Sequence, residues 1–368
     1  MTLSLYIARR FLKSFLIVAA AFWGIIFLIE MVEKIRSFGN AQIGLGRTAV
    51  LAALAVPQSI YTILPLLVAM AAMLLFIGLA RSSELVVIRA SGRSALRMLA
   101  APVAVALILG VLAVVGFNPI ATATSKRYDE LAGRFSAGDV QSVSVGSGGV
   151  WMRQGMGGDD GTQAVIHAAR ATLDATKLSR VTFLIFAPGE GPVRRIDADE
   201  AVLSPGAWQL SGVKDWTLSG SENPELSAKT APAMTLGSDL TPERIRDSFG
   251  TPSAVQIWQL PGFIRGLEEA GFSARRHLVW FEMELALPFV FAAMVLMAAA
   301  FTMGHARFGR TGAMALLALG GALGIFFLRN IAQVLGENGE IPVVLAAWAP
   351  PAIALMLALA LILAREDG

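Results

Sequence analysis

The chain has 368 residues, 55% hydrophobic and only 15% charged, with a mean hydropathy of +0.63. A soluble domain carries about 25% charged residues, so this is the composition of a membrane protein; disorder, collagen and a disulfide-stapled secreted scaffold are excluded together. With no Cys there is no thiolate metal site, iron–sulfur cluster, thiol nucleophile or disulfide, and the three scattered His (His167, His277, His305) argue against a His-based metal centre. The formal charge is +3, yet residues 119–272 hold 14 Lys/Arg against 18 Asp/Glu and the remainder holds 16 against 9. The basic surplus sits among the apolar segments, where it reports membrane orientation rather than a nucleic-acid partner.

A bilayer core about 30 Å thick takes roughly 20 apolar helical residues. Six segments qualify: Phe11–Ile29, one within Thr48–Ala80, one within Met98–Ser125, then Leu285–Met303, Thr311–Leu328 and Ile341–Ala364. The first follows Arg9, Arg10 and Lys13, as a signal peptide would, but stays apolar through Phe22, Trp23 and Ile25 to Ile29. A signal core runs only about 7–15 residues, so an uncleaved anchor is expected. Arg9, Arg10 and Lys13, then Arg81, Arg89, Arg93 and Arg97, then Arg307 and Arg310 mark one side of the membrane. The alternate loops hold Arg47 alone, or Glu337 and Glu340 with no base. Both termini are therefore expected in the cytoplasm and the insert outside. The expected division is 1–118 for spans one to three, 119–272 for the insert and 273–368 for spans four to six.

Between spans two and three, Ala80–Arg93 reads as a short amphipathic helix. Ser82 or Ser83 can cap it, Glu84 suits its positive first turn, and Gly92 suits its C′ position. Leu85 and Ile88 share one side. Tied to two spans, such a helix transmits a push if a partner grips it; otherwise it lies on the lipid surface.

The insert reads as short strands separated by turns. Val181–Phe186 is β-branched and aromatic, Pro188–Pro192 breaks it, and Val193–Ile196 resumes. Ser204-Pro205-Gly206 is another turn, before alternation in Trp208–Val213; Gly146–Gly149 and Gly155–Gly161 are further breaks. Strands without intervening helices predict an antiparallel sandwich or roll. Helices are expected after Thr241-Pro242-Glu243 and over Leu260–Ala270, the latter ending at Gly271. No Gly-Lys dipeptide exists, hence no Walker A loop, and neither His-Glu-x-x-His nor G-x-S-x-G occurs. Glu282 and Glu284 stand two residues apart on a helix and face different ways; an interfacial position is expected for both.

The stretch Glu84-Leu85-Val86-Val87-Ile88-Arg89-Ala90-Ser91-Gly92 closely resembles the coupling-helix motif of the LptF/LptG permeases, which export lipopolysaccharide. Val56-Pro57-Gln58-Ser59-Ile60-Tyr61-x-x-Leu64-Pro65 resembles the family's second span, and Gly339-x-Ile341-Pro342 with Ala346-Ala347-Trp348-x-Pro350 its lead-in to the sixth. The valine pair looks more like the LptG branch than the LptF branch. The resemblance implies a six-helix membrane protein, three plus three, around a periplasmic antiparallel β-jellyroll-like domain. It also implies an LptF-type partner permease, a dimeric LptB-type ATPase that uses the ATP and Mg, an LptC-type single-span protein and a periplasmic LptA-type bridge. This chain itself would need no cofactor and would carry no catalytic residue.

In that family lipopolysaccharide enters between spans one and five. Ala20-x-x-x-Gly24 and Gly320-x-x-x-Gly324 on those spans carry the small residues that let helices approach closely. The coupling role falls on Glu84, Leu85, Ile88 and Arg89. Bases at the end of span one and after span three would meet the lipid's phosphates and sugars. Lys34, Arg36, Lys126, Arg127 and Arg329 are the candidates; Arg36 fits best and Lys126 approximately, while Glu30 stands where the family often has a base. Two other classes stay open: an ABC permease for lipoproteins or peptides, and a proton-driven carrier. The carrier requires ionisable groups at mid-membrane, and the six apolar cores contain none.

Overall fold

The computed structural model describes residues 2–38, 44–90, 94–133, 143–146, 149–155, 162–172, 176–187, 191–220, 223–238, 240–241, 251–269, 272–303 and 311–366. Gly92, the helix start at Pro242, Gly271, and Arg307 and Arg310 lie outside these residues, as does the side chain of Arg89. The chain divides into two compact units, residues 1–135 with 278–368, and residues 136–277.

The first unit is helical. Helix α1 spans Thr2–Ser37, α2 Leu45–Arg81, α3 Glu84–Ala90 and α4 Ala95–Leu112. A π turn at Ala113–Phe117 leads from α4 directly into α5, Asn118–Gly133. The helical path of span three thus runs well past residue 119: Pro119 falls in the first turn of α5, directly after the π turn, where a proline is tolerated. The expected edge of the insert falls inside this helix, and the compact units part at residue 135 instead. Among the described residues, six helical stretches are long and apolar enough to cross a membrane: Leu3–Ser37, Leu45–Arg81, Leu96–Ala132, Arg275–Thr302, Gly312–Asn338 and Val343–Ala364.

Burial sorts these stretches. Helix α7 (Arg275–Thr302) is the centre, with 78% of its apolar window buried, whereas α1 shows 6% and α8 (Thr311–Asn338) 17%. Composition cannot explain the contrast, since all three are apolar. A Cβ at Gly110 of α4 would fall on Pro288 of α7, so glycine permits that close approach. The last helix, α9 (Val343–Glu366), packs Ala346 and Ala347 with Val279 and Met283 of α7, joined by Ile341 and Trp348.

The second unit carries one seven-stranded antiparallel sheet in sequence order: β1 Val143–Gly146, β2 Gly149–Gly155, β3 Gln163–Ala171, β4 Lys177–Phe186, β5 Pro192–Ser204, β6 Ala207–Thr217 and β7 Lys229–Gly237. Alternate residues are buried, among them Ile166, Phe183, Ile196, Trp208 and Leu210. Laid flat, β2 and β6 would stand four strand spacings apart, about 19 Å. Yet Trp208 Nε1 of β6 donates to Gln154 Oε1 of β2 at 3.5 Å, and Ser238 Oγ, just past β7, donates to the same oxygen at 3.0 Å. The sheet therefore curls on itself into a roll, closing an apolar interior. One short helix, α6 (Leu260–Glu269), buries Leu260, Ile264 and Leu267.

Candidate functional site

The first constellation joins α3 to the start of α1. Helix α2 ends at Arg81, and Ser83 at φ 59° makes the sharp turn into α3. A seven-residue helix cannot hold itself together in water, so its contacts decide its position. Glu84 accepts from Arg10 Nη1 at 2.7 and 2.8 Å, from Tyr6 OH at 2.9 Å and from Ser82 Oγ at 2.7 Å. The Arg10 bond holds the Glu84 carboxyl below the usual carboxylate range. Leu85 and Ile88 are buried within the chain, while Val87 is 68% exposed. The expectation that Leu85 and Ile88 face a partner is thus reversed, because the bundle itself takes up the apolar side of α3. The side α3 presents outward includes Val87.

The second constellation clamps the far end of α1. Lys34 is buried, pairs with Glu30 at 3.3 Å and lies over the Tyr128 ring of α5 at 4.7 Å. Ser59 Oγ of α2 donates to Glu30 at 2.6 Å. Lys34 is therefore occupied inside the chain and is not an open rim cation. Arg36 and Lys126 are exposed; Arg127 is exposed too but pairs with Glu130 at 2.7 Å.

The third lies within the helices. Glu284 of α7 is 1% exposed and accepts a hydrogen bond from Tyr61 OH of α2. Asn118 hydrogen-bonds the same tyrosine, and Arg329 of α8, also buried, adds its positive charge to Glu284 and Tyr61. Glu284 is buried among the helices, and Arg329 points inward rather than lying open at a rim. Both lie inside helices that run on beyond the apolar windows counted in the sequence. Glu282 behaves differently, accepting from Trp348 Nε1 at 3.0 Å.

The sequence model of the family "Lipopolysaccharide export system permease LptF/LptG" matches residues 5–364. The chain belongs to the LptF/LptG family. Over its whole length it is also 24% identical to the lipopolysaccharide export system permease protein LptG of Haemophilus influenzae, covering 99% of that protein. As a member of the LptF/LptG family it is a membrane permease of the lipopolysaccharide export system, with the expected helical membrane part and inserted antiparallel β domain. Membership in the family decides against a proton-driven carrier.

The LptF/LptG-like motifs acquire physical roles here. Ser59 and Tyr61 of the α2 motif are the donors to Glu30 and Glu284. Ala346, Ala347 and Trp348 are the seat of α9 on α7. The glycine spacing reads differently. Ala20, Gly24, Gly320 and Gly324 all lie on exposed faces, and a Cβ at Gly24, Gly320 or Gly324 would meet nothing within 4 Å. Packing within this chain uses Gly321 and Gly336 instead. Their Cβ positions would press on Met297 and Phe301, and on Ala346 and Val279, respectively. The open faces also carry Trp23, Leu28 and Val32 on α1 and Phe327, Ile331 and Val334 on α8. Sequence reasoning missed the Glu284–Tyr61–Arg329 group; its available signal was a tyrosine inside an otherwise apolar span.

Proposed function

We propose that this chain is the LptG-type half of a permease pair that takes lipopolysaccharide from the bilayer between α1 and α8 and passes it into the β roll. The observation that carries this reading is the pairing of exposure with composition. Helices α1 and α8 are apolar enough to span, yet they bury little within the chain, so lipid, cargo or a second permease must cover them. The LptG assignment draws on the Haemophilus influenzae relative and on the Val86-Val87 pair. The apolar interior of the roll suits acyl chains.

In this reading both termini and α3 are cytoplasmic, on the side of Arg9, Lys13 and Arg97, and the β unit is periplasmic. ATP and Mg are used by a separate dimeric LptB-type ATPase docked over Val87. An LptF-type permease, an LptC-type single-span protein and an LptA-type bridge complete the assembly. Arg36 and Lys126 are the exposed bases that meet lipid phosphate, Lys34 sets the position of α1, and Arg127 contributes less because Glu130 already offsets its charge. Purification of the tagged chain, with mass spectrometry of its lipids and a search for a small ATPase, tests the reading. Lipid A together with the ATPase supports it. An ATPase with no lipid A, or lipid A with no ATPase, overturns it.

A further inference from the structure

The outward face of the sheet has an organisation of its own. Ile166, Phe183 and Ile196 point into the roll, so the residues beside them point out. Register sets Trp151 of β2, His167 of β3, Thr182 of β4, Asp197 of β5 and Lys214 of β6 in one outward row. The next row on that face runs Val165, Leu184, Arg195 and Trp216. Between the rows lies a depression of about 210 Å³, lined by Trp151, Val165, His167, Thr182, Leu184 and Arg195. Trp151 packs on His167 with ring centroids 4.3 Å apart, yet 46% of it stays exposed. Arg195 donates twice to Asp197, at 3.0 and 2.7 Å, and lies over the Trp216 ring at 5.2 Å. Trp216 is fixed in turn, because its Nε1 donates to Glu225 at 2.8 Å.

The depression is small, below the roughly 300–1,000 Å³ of sites for drug-sized ligands, and suits a single ring. An indole beside an aliphatic floor accepts the C–H face of a sugar. Arg195 supplies donors, Asp197 acceptors and Thr182 either, which matches hydroxyls that both donate and accept. Net charge is not invited, since Asp197 offsets Arg195 and Glu225 offsets Lys214. A stable protein interface takes about 800 Å² from each partner around an apolar core. Among the described residues, Trp151 and Val202 are the exposed large apolar side chains of the strands, and Val202 lies toward the far end of β5.

We propose that this outward depression binds an uncharged sugar ring of a glycan. Trp151 is the stacking platform, held by His167; Val165 and Leu184 form the floor; Thr182 and the Arg195–Asp197 pair read the hydroxyls. The ring can come from the saccharide portion of lipopolysaccharide or from a lipid-free oligosaccharide in the same compartment. The site's geometry is independent of the substrate assignment above.

The full-length chain in nanodiscs is titrated with maltotriose, cellotriose and mannotriose, and separately with the saccharide released from lipopolysaccharide by mild acid. Saturation-transfer NMR reports the sugar protons in contact. Transfer to at least one of these probes is expected. Trp151→Ala and Arg195→Gln should each weaken the apparent affinity roughly fivefold, whereas Leu226→Ala, at an 87% exposed position outside the depression, should not. If Trp151→Ala does not accumulate, Arg195→Gln decides. Transfer to the released saccharide assigns the site to the cargo's sugars, and transfer to the trisaccharides alone to a separate glycan. No transfer to any probe, or parental affinity in the variants, overturns the proposal. The native chain has no Cys, so maleimide labelling of Trp151→Cys then identifies the alternative: labelling blocked in the assembled complex, with no sugar transfer, makes this face a protein interface.

Discussion

Replacing Glu84 by Gln keeps the shape of the α3 clasp while removing its charge. An amide still accepts from Tyr6 or Ser82, but Arg10 is left with a neutral partner. A hydrogen bond to a charged group contributes about 1.5–3 kcal/mol. The Arg10 and Glu84 side chains are 30% and 33% exposed, and water screens such pairs toward the surface value of about 1 kcal/mol or less. We take about 1 kcal/mol, roughly a fivefold change in the ratio of docked to undocked α3. Hydrogen exchange of the α3 amides in the nanodisc-embedded chain reads this ratio directly, and Glu84→Gln should exchange about fivefold faster. The pH response has a definite sign. Because Arg10 depresses the Glu84 carboxyl, its contribution is complete above the ordinary carboxylate range and is lost as pH falls through the depressed value. The native chain should therefore loosen at acid pH, after correction for intrinsic exchange, and Glu84→Gln should show no such step. Equal exchange in both proteins at neutral pH would refute the clasp.

On α3, Val87→Asp should release the ATPase from a pull-down while the chain stays folded. Leu85→Asp should instead destabilise α3 itself, seen as faster exchange before any partner is added. In the β roll, Trp208→Ala should cost about 3–5 kcal/mol, and Gln154→Leu about 1–3 kcal/mol for each donor stranded at Trp208 and Ser238; denaturant unfolding followed by tryptophan fluorescence measures both. On α8, Gly320→Leu should cut export with normal assembly, whereas Gly321→Leu should disturb seating on Met297 and lower the recovered protein. Equal recovery and equal export for the two leucine variants would remove the distinction between the faces of α8.

Hydropathy placed the six spans because about 20 apolar residues in a row have few alternatives to a membrane helix. Alternation and turn chemistry likewise placed β4 to β6. Closure of the sheet was not legible, because it depends on Gln154 meeting Trp208 across 54 positions of sequence. At α3 the periodicity located the apolar side through Leu85 and Ile88 but not what covers it, since a partner groove and the chain's own bundle offer the same chemistry. The same limit applied to the bases. Lys34 and Arg36 look alike as letters, yet a two-residue step turns one toward Glu30 and Tyr128 and the other to the outside. The burial of Glu284 was not legible because the apolar window begins at Leu285, whereas the helix begins at Arg275 and meets Tyr61 of another span.

The central claim is that lipopolysaccharide runs along the open faces of α1 and α8, and site-specific photocrosslinking in the assembled complex tests it most directly. A photoreactive residue at position 24, 36 or 320 should capture lipopolysaccharide, and the same residue at 34 or 321, which face the chain's interior, should not. Capture at 34 and 321 with none at 24, 36 and 320 would contradict the account.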